Sequence, residues 1–307
     1  MTWFRKLNYW LNFKKFVVIR RFLMVRHKHS TTEPFISGDS IAKICDYYLF
    51  GPFGNQEINH SALNSASSLF VNGDKLTQAL SIGIPENVKV LVTGNSDQNW
   101  SEKPKLPSSI ALWLCQNNGL LDSTSVFSLP IGLENLRLGH AGRSKYRFKL
   151  HEDVVLNRVL VPPISNTNPI RSEIRRKTNL RSDIYSVQGE SLTIRKYIGL
   201  LAQYRFIFCP EGNGYDTHRL WEVLYADAFP VVLETNFTRN LRPLGLPILE
   251  IPDVESLTKS EIAEHHSKHK DFKAEDTNVL WTNYWQELIG KYTADRSEIQ
   301  KCDSQGD

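Results

Sequence analysis

The stretch from residue 206 to residue 233 constrains the fold more strongly than any other part of the chain. It opens on the apolar run 206–208, which is long enough for a buried strand, and continues into a loop dense in turn residues, CPEGNGYD. An apolar-faced helix follows, and after Pro230 the run 231–233 has the composition of a second buried strand. The order strand, Gly-rich loop, helix, strand predicts one βαβ unit of a parallel sheet.

The loop and the first turn of this helix have the residue types of an anion-binding site. In open parallel sheets ligands bind beyond the carboxyl ends of the strands, and free N–H groups at a helix start favour phosphate. Gly212 and Gly214 allow close approach of the backbone, while His218 and Arg219 place positive charge where the helix dipole disfavours it. An anionic ligand accounts for those charges, and Glu222 one turn later is placed to accept the hydroxyls of a ribose. The alternative is that Arg219 and Glu222 simply pair on a solvated helix face.

Residues 210–232, PEGNGYDTHRLWEVLYADAFPVV, resemble the donor-binding segment of exostosin-like glycosyltransferases and related bacterial polysaccharide enzymes. The sequence departs from that pattern at Val223, where Ala is usual, and at Asp227, where Gly is usual. The resemblance implies an α/β protein of the GT-B fold, with two Rossmann-like domains facing a central cleft and the nucleotide-sugar held by the second domain. By position it implies a donor site lined by Glu211, Gly212, Asn213, Gly214, Asp216, His218, Arg219 and Glu222.

A Thr-Asn…Arg segment beside the donor phosphates is a further feature of the related enzymes, and residues 167–171 are similar to it. Arg171 is therefore implied as a second contact to the diphosphate, a role that suits a bidentate guanidinium. The basic run 175–177 that follows is predicted to be a solvated helix face. Weaker matches in the first half extend the resemblance over about residues 34–290.

Acidic residues at predicted strand ends of the first half are candidates for a catalytic base. A strand over 88–93 is followed by Gly-Asn-Ser-Asp, and a strand over 35–39 ends in a Gly-Asp turn. If the reaction inverts, a base must deprotonate the acceptor hydroxyl in line with the anomeric carbon of the sugar. Asp97 and Asp39 are the candidates and Glu134 is a weaker third, while the alternative for each aspartate is an ordinary turn or cap residue.

Charge and cysteine content argue against several classes of protein. The 307 residues include 37 Lys or Arg and 33 Asp or Glu, for a net charge of +4. Eight of the basic residues and none of the acidic ones fall in residues 1–29, so the remaining chain has 29 basic against 33 acidic residues and gives no sign of nucleic-acid binding. The four cysteines lack the spacing of a zinc site or a disulfide framework, which favours a cytosolic protein with reduced thiols. Cys209 in the central loop is interpreted as a small buried residue and not as a nucleophile.

Residues 1–29 have a character of their own. On a helix, most of their Trp, Phe, Leu and Val residues share one side, and the Lys and Arg residues fall largely on the other. The apolar runs are too short to span a bilayer, and a cleavable signal-peptide core is absent. Two interpretations stay open: a helix in the interface of an anionic membrane, or an amphipathic helix docked on the protein itself. The first places a cytoplasmic protein at the inner face of the membrane.

The sequence is predicted to have four parts, which are a basic amphipathic segment at 1–32, an acceptor-side Rossmann-like domain at 33–145, a nucleotide-sugar-binding domain at 146–292 and a polar tail at 293–307. Within the first domain the patterns predict a helix over 40–50 followed by a polar loop over 51–68. In the second domain they predict a helix over 255–270 with three histidines at metal-like spacing, His265, His266 and His269. Because no suitably placed acid accompanies them, an exposed helix face is favoured over a metal site.

Together these features predict a glycosyltransferase that moves a sugar from a nucleotide-sugar to a glycan or lipid-linked acceptor, in cell-surface polysaccharide or glycolipid synthesis. An acid pair of the DxD type is not evident, so basic side chains are expected to stabilise the leaving diphosphate and no metal cofactor is expected. Alternatives are a nucleotide-sugar-binding scaffold without turnover, a sugar-nucleotide epimerase and a fucosyltransferase-type GT-B enzyme. The donor base, the sugar, the acceptor and the stereochemistry stay open at this level.

Overall fold

The computed structural model of the chain describes residues 32–50, 57–121, 125–138, 149–165, 167–189 and 192–294. The helix expected in residues 1–29 lies outside these residues, as does nearly all of the polar tail expected at 293–307. Within the described ranges, no helix is both long and apolar enough to cross a membrane.

The strands of the described chain form two parallel sheets of five strands each. The first sheet contains β1 (Tyr47–Leu49), β2 (Ser68–Asn72), β3 (Val90–Gly94), β4 (Leu112–Cys115) and β5 (Val126–Ser128). The second contains β6 (Val155–Val161), β7 (Tyr185–Val187), β8 (Tyr204–Phe208), β9 (Phe229–Leu233) and β10 (Leu249–Ile251). The α/β class expected from the sequence is confirmed, and the two sheets are compatible with two Rossmann-like units.

Helices alternate with these strands. Those of the first half are α1 (Gly38–Lys43), α2 (His60–Ser65) and α3 (Leu76–Ile82). Those of the second half are α4 (Ile170–Leu180), α5 (Ile194–Leu201), α6 (His218–Leu224), α7 (Asn236–Arg239), α8 (Lys259–His269) and α9 (Thr282–Thr293). We call residues 32–138 the first unit and residues 149–281 the second unit.

The three central strands of the first sheet, β2, β3 and β4, form from short runs that are buried on both faces, as a parallel sheet requires. In β3 and β4, for example, Leu91, Val92 and Leu112 are fully buried. The strands pair in chain order, β1-β2-β3-β4-β5, and every pair is parallel. The residues that follow the strands therefore lie along a single edge of the sheet, and Asp97 is one of them.

The second sheet has the order β10-β9-β8-β6-β7. The chain moves from β6 to β7 on one side and then returns to the other side of β6 to form β8, with α4 and α5 as the connections. The direction of winding thus reverses between β6 and β8. Such a topological switch point opens a crevice at the carboxyl ends of the two strands.

The last helix returns to the first sheet. Trp285 and Ile289 of α9 pack in one buried cluster with Ile41, Val90 and Leu112 of the first unit. At the start of α9 the backbone N–H of Thr282 donates to the Pro34 carbonyl at 3.0 Å. The end of the described chain therefore contributes to the core of its beginning, which ties the two units together.

The helix predicted over residues 40–50 is wrong in its second half, because α1 ends at Lys43 and residues Tyr47–Leu49 form β1. The two tyrosines suit a strand, but a run of three residues is too short to give a period. Between helix and strand, the Asp46 carboxylate accepts hydrogen bonds from the backbone N–H groups of Ser67 and Ser68, both at 2.9 Å. These bonds place β1 beside β2, a long-range effect that the local pattern does not contain.

Two further expectations for the first unit are corrected. Residues 35–39 do not form a strand, since Ser37 caps α1 with its side chain and the helix begins at Gly38. The polar loop predicted over 51–68 contains the helix α2 in its described part. Asn59 caps that helix by accepting from the backbone N–H of Ala62 at 3.1 Å.

The three histidines of α8 do not form an exposed face, which corrects the prediction from the sequence. His265, His266 and His269 are half-buried and pack around the Phe229 ring of β9, with ring centroids 5.4, 6.3 and 6.3 Å away. Burial lowers the pKa of His265 to about 4, and its Nε2 lies 3.2 Å from the Pro247 carbonyl. Across the described residues, no cluster of His, Cys, Asp or Glu has the geometry of a metal site.

Candidate functional site

The switch point of the second sheet brings two segments side by side. β6 continues into Pro163 and Ser165, and β8 continues into the Gly-rich loop that starts at Cys209. The Asn168 side chain joins the segments by donating from Nδ2 to the Gly212 carbonyl at 3.1 Å. The Gly-rich loop thus lies where an open parallel sheet binds its ligand.

Arg219 is the second residue of α6 and is half-buried at this point. Its Nε donates to the Tyr197 hydroxyl at 3.0 Å, and its Nη2 donates to the Pro163 carbonyl at 3.1 Å. Its guanidinium carbon also lies 5.7 Å from the centroid of the Tyr197 ring. Burial raises the pKa of Tyr197 to about 12, so this phenol is neutral. The hydrogen bonds of Arg219 thus go to neutral groups, while the charge of Glu222 also acts on the guanidinium and helps to raise its pKa.

Arg171 lies in the first turn of α4 and has the same kind of surroundings. Nη1 donates to the Ser165 hydroxyl at 3.1 Å, Nη2 donates to the Pro210 carbonyl at 3.3 Å, and Nε donates to the Glu211 carbonyl. Burial lowers the pKa of Arg171, and the positive charge of Arg219 lowers it further. Two guanidiniums thus lie close enough to repel each other, and neither forms an ion pair with an acid of the described chain.

Beside them a cavity of about 650 Å³ opens at the carboxyl end of β6. Arg219, Tyr197 and Ser165 line it, together with Arg175. The sequence predicted a solvated face for 175–177, and for Arg175 this is wrong, since it is half-buried and donates from Nη2 to the Ile164 carbonyl. The cavity therefore has basic side chains and no acid in its wall.

Glu222 lies one turn after Arg219 and is half-buried. The alternative that Arg219 and Glu222 pair with each other is wrong, because the guanidinium of Arg219 is directed to Tyr197 and Pro163. Burial raises the pKa of Glu222, the charges of His218 and Arg219 oppose this, and Glu134 of the first unit raises it again. Two carboxylates from different units thus interact next to the basic cluster.

His218 helps to hold this arrangement across the two units. Its Nδ1 lies 2.8 Å from the Gly132 carbonyl. Since a carbonyl only accepts, Nδ1 is the donor of this hydrogen bond. Gly132 has φ +65 and its position leaves no room for a Cβ, which would lie 2.1 Å from the Ile36 carbonyl oxygen. The close approach of these segments thus depends on this glycine.

The Gly-rich loop contacts the strand ends of the first sheet directly. Asn213 donates from Nδ2 to the exposed Asp97 carboxylate at 3.2 Å, and the Tyr215 N–H donates to Asn99 Oδ1 at 2.8 Å. A Cβ at Gly214 would lie 2.7 Å from Asn117 Oδ1. Gly214, which the resemblance places in the donor site, thus allows close packing of the two units.

Asp216 is part of the same seam and is 4% exposed. Its carboxylate accepts from the Ile131 N–H of the first unit, from the Thr217 N–H and from Trp221 Nε1, each at about 2.8 Å. Burial raises the pKa of Asp216 to about 7, although all three donors stabilise the charged form. With its oxygens occupied in this way, Asp216 joins the units and does not face the cavity.

Asp39 is also fully buried, which speaks against the role of catalytic base. It forms an ion pair with Arg137 at 2.8 Å and accepts from Asn95 Nδ2 at 3.1 Å. Burial raises the pKa of Asp39, against the opposing effects of Arg137 and Asn95. Cys209 is buried too, and burial raises the pKa of its thiol, so it has the properties of the small core residue that the sequence predicted.

The start of the Gly-rich loop lies beside a second, smaller space. Glu211 lines a cavity of about 40 Å³ together with Thr235 and Phe237, a volume that suits about one water molecule. Its Oε1 is buried and has no hydrogen-bond partner in the described part of the chain. Burial raises the pKa of Glu211, an effect that the Thr235 hydroxyl partly offsets. Gly212 lies next to Arg171, whose Nη2 a Cβ there would meet at 3.2 Å.

The backbone explains one of the two departures from the exostosin-like pattern. Asp227 follows α6 with φ +62, in the left-handed region that favours glycine, and glycine is the usual residue of the pattern at this position. Asp is among the few other residues that adopt this region without large strain. Its Oδ1 accepts from the Ala274 N–H at 2.8 Å. The substitution thus keeps the turn and adds a contact to the segment before α9.

Several residues of the site escaped the sequence analysis. Asn117, Asn99 and Arg175 are the clearest cases, and only the two asparagines had a signal, since each belongs to a polar run that directly follows a buried strand. The donor-binding resemblance rests on the loop residues themselves. Comparison with models of known protein families gives no match, and no curated protein matches the chain.

Proposed function

We propose that this chain is a glycosyltransferase of the GT-B type, which transfers a sugar from a nucleotide-sugar to a glycan or lipid-linked acceptor. The observation that supports this most is the pair Arg171 and Arg219, two half-buried guanidiniums at a switch point whose hydrogen bonds go to neutral groups and which form no ion pair in the described chain. A nucleoside diphosphate offers two adjacent phosphates, which match two guanidiniums. The adjoining cavity of about 650 Å³ falls in the range of small-ligand sites.

In the proposed complex, the diphosphate lies between Arg171 and Arg219 at the first turns of α4 and α6. Anions are stable at helix N-termini, whereas the two arginines alone are not favoured there. Glu222, whose carboxylate has no hydrogen bond within the described chain, is proposed to accept from the ribose hydroxyls. Arg175 is proposed as a third basic group near the donor, since it lines the same cavity.

Asp97 is proposed as the base of an inverting transfer. It is exposed at the carboxyl end of β3 and touches Asn213 of the donor loop, so it lies across the seam from the donor. The acceptor hydroxyl would give its proton to Asp97 while its oxygen bonds to the anomeric carbon, and the bond from that carbon to the diphosphate breaks with its electrons on the phosphate. Arg171 and Arg219 would stabilise the charge that develops on the leaving group.

Two further proposals follow from the sequence. The arginines take the place that a metal has in other transferases, so the transfer is proposed to need no metal. Residues 1–29, eight of which are basic, are proposed to hold a cytoplasmic enzyme at an anionic membrane surface. Neither proposal is needed for donor binding, and each is tested separately, the first by turnover in EDTA and the second by co-sedimentation with anionic vesicles.

The proposed function is tested by melting the purified full chain with UDP-, GDP-, dTDP- and CMP-sugars. A diphosphate donor is expected to stabilise the folded state, by about 2.7 kcal/mol at roughly 100-fold excess over Kd. Arg219→Ala is expected to abolish the shift. Arg195→Ala removes an exposed arginine from α5 and is the matched control, in which the shift should persist. Asp97→Asn is expected to keep donor binding and to lower turnover by about 10²–10⁴.

The outcomes separate the alternatives. If a diphosphate donor raises the melting temperature of Arg219→Ala as much as that of Arg195→Ala, the assigned site is contradicted. Donor binding with no turnover on any acceptor would favour a nucleotide-sugar-binding scaffold, and conversion of the donor sugar without acceptor would favour an epimerase. Preference for GDP-fucose would support the fucosyltransferase-type alternative within the same fold.

A further inference from the structure

A second large cavity lies at the opposite end of the second sheet. It has a volume of about 500 Å³ and is lined at its base by Arg205, which is the second residue of β8. The Gly-rich loop begins directly after the last residue of that strand. At the rise per residue of a strand, the start of the loop is about 13 Å from Arg205. We call this cavity the rear pocket. It is separate from the cavity beside Arg219 and has no residue in common with it.

Arg205 is the feature that makes the rear pocket unusual. It is 9% exposed, and its Nε is buried without a hydrogen-bond partner in the described chain. Its one hydrogen bond there is a long one of 3.4 Å from Nη2 to the Lys270 carbonyl, and its guanidinium carbon lies 4.3 Å from the centroid of the Phe229 ring. A buried arginine normally has an acidic partner. Asp227 acts on Arg205 electrostatically but forms no ion pair with it, so the Nε of Arg205 is left to donate to a ligand in the opening.

Two lysines at the mouth of the rear pocket add positive charge. Lys149 and Lys273 are both exposed and line the cavity. The acids of the wall are Asp227 and Glu275. The Asp227 carboxylate already accepts from the Ala274 N–H and lies 3.6 Å from Lys273. Among the described residues Lys149 and Arg205 form no ion pair, and the three basic and two acidic side chains of the wall give it a net charge of +1.

One wall of the rear pocket consists of aromatic rings. Phe35 packs against Tyr225 and Trp281 with ring centroids 5.3 and 5.2 Å apart, and all three line the cavity. Aromatic faces of this kind bind the apolar faces of ring compounds, while a guanidinium forms two parallel bonds with a carboxylate or phosphate. The volume suits a molecule of about the size of a sugar phosphate.

We propose that the rear pocket binds an oxyanion carried on a sugar ring, with the oxyanion against Arg205 and Lys149 and the ring against Phe35 and Trp281. Because Phe35 belongs to the first unit and Arg205 to the second, such a ligand would contact both units. The site is independent of the proposed transferase activity. A sugar phosphate and a sugar acid share this chemistry, and the experiment distinguishes them.

The test is calorimetric titration of the purified full chain with glucose 6-phosphate, glucuronate, glucose and inorganic phosphate. At least one of the two charged sugars is expected to bind, and the one that binds more tightly identifies the oxyanion. Glucose lacks the charge and phosphate lacks the ring, so both are expected to bind at least about tenfold more weakly. Arg205→Met is expected to weaken binding at least about tenfold and Lys149→Gln by several-fold. Lys75→Gln removes an exposed lysine of the first unit and should leave the affinity unchanged.

Arg219→Ala shows which of the two sites a charged sugar occupies. A charged sugar that binds in the rear pocket is expected to keep its affinity in this variant. Loss of binding in Arg219→Ala with full binding in Lys149→Gln would overturn the proposal, as would the absence of binding by both charged sugars. Inorganic phosphate that binds as tightly as glucose 6-phosphate would overturn the role of the ring. Since Lys149 is exposed, its variant remains informative if Arg205→Met does not fold.

Discussion

At the strand ends of the first sheet Arg137 lies 2.8 Å from the fully buried Asp39, whereas at the switch point of the second sheet Arg171 and Arg219 have only carbonyl and hydroxyl partners. In the first arrangement the charges are paired, since Arg137 and Asp39 form an ion pair at contact distance. The second leaves two like charges partly desolvated and adjacent. Structural needs explain the first arrangement. In the second, Glu222 acts on Arg219 without a contact ion pair, and an anion between the two guanidiniums would complete the site.

This comparison shows how a charged residue that stabilises the fold can be distinguished from one that binds a ligand, even when the ligand is not known. Removing one partner of a buried ion pair leaves the other charge uncompensated, so folding must suffer. Removing a charge that has no contact ion pair also relieves a cost of desolvation, so folding is expected to change less while binding is lost. Stability measured without ligand is therefore the quantity that distinguishes the two regions.

The largest effect is expected for Arg137→Met. This change leaves the Asp39 carboxylate buried with the Asn95 amide as its one hydrogen-bond donor in the described chain, and the expected loss is about 3–5 kcal/mol in the free energy of unfolding. Urea unfolding followed by circular dichroism at pH 7 measures it. The matched control is Arg176→Met, which breaks the exposed ion pair with Glu173 and should leave stability almost unchanged.

Adding Asp39→Asn to Arg137→Met sharpens this result. The second change removes the uncompensated charge, so the double variant is expected to recover part of the lost stability. A double variant that is as unstable as the sum of both single variants would show that the two side chains act separately. The ion pair would then not be the reason for the burial of Asp39.

His265 gives an intermediate case, because a buried basic group can also lose its charge. Its pKa is lowered from 6.5 to about 4 by burial, so between these pH values the unfolded chain binds more protons than the folded one. Stability from His265 is therefore present above pH 6.5 and is lost as the pH falls toward 4. The positive charges of His269 and Lys268 act in the same direction.

The measurement is the free energy of unfolding from pH 4 to pH 8 for the wild type and for His265→Phe, which keeps a ring against Phe229. Asp216 acts with the opposite sign over about the same range, since its pKa is raised to about 7 and its contribution falls as the pH rises above 3.8. Asp216 is present in both proteins, so subtracting the free energy of unfolding of His265→Phe from that of the wild type isolates His265. We expect this difference to be smaller at pH 5 than at pH 7. A difference independent of pH would contradict the neutral, buried state of His265.

Local sequence rules were sufficient for the elements that are long or strongly apolar. The βαβ unit around the Gly-rich loop and the strand now seen as Val90–Gly94 were predicted because their patterns are self-contained. The strand Tyr47–Leu49 was not, since three residues have no usable period and their position depends on pairing with β2. The order of strands, and with it the switch point, is likewise a long-range property.

The candidate site divides in the same way. Arg219 was found from the sequence because a basic residue in the first turn of a helix breaks a local rule. Arg175 was not, since it adjoins Arg176 and Lys177 in the sequence and only the folded helix separates the one that lines the cavity from the two that pair with acids. Asp216 was assigned to the donor site by the resemblance alone, and the sequence does not reveal that Ile131 of the other unit would occupy its carboxylate.

The smallest effect on stability is expected at the proposed donor site itself. Arg219→Met keeps much of the apolar stem, removes a half-buried charge and gives up the bonds to the Tyr197 hydroxyl and the Pro163 carbonyl. The relief of desolvation is on the order of 1–3 kcal/mol and opposes the loss of these bonds and of the favourable charge of Glu222, so the net change without ligand is expected to be smaller than that of Arg137→Met. Urea unfolding under the conditions used for Arg137→Met measures it. A loss as large as that of Arg137→Met would show that Arg219 is structural, because a charge that holds the fold together cannot be removed without cost, whereas a charge kept for an anion can.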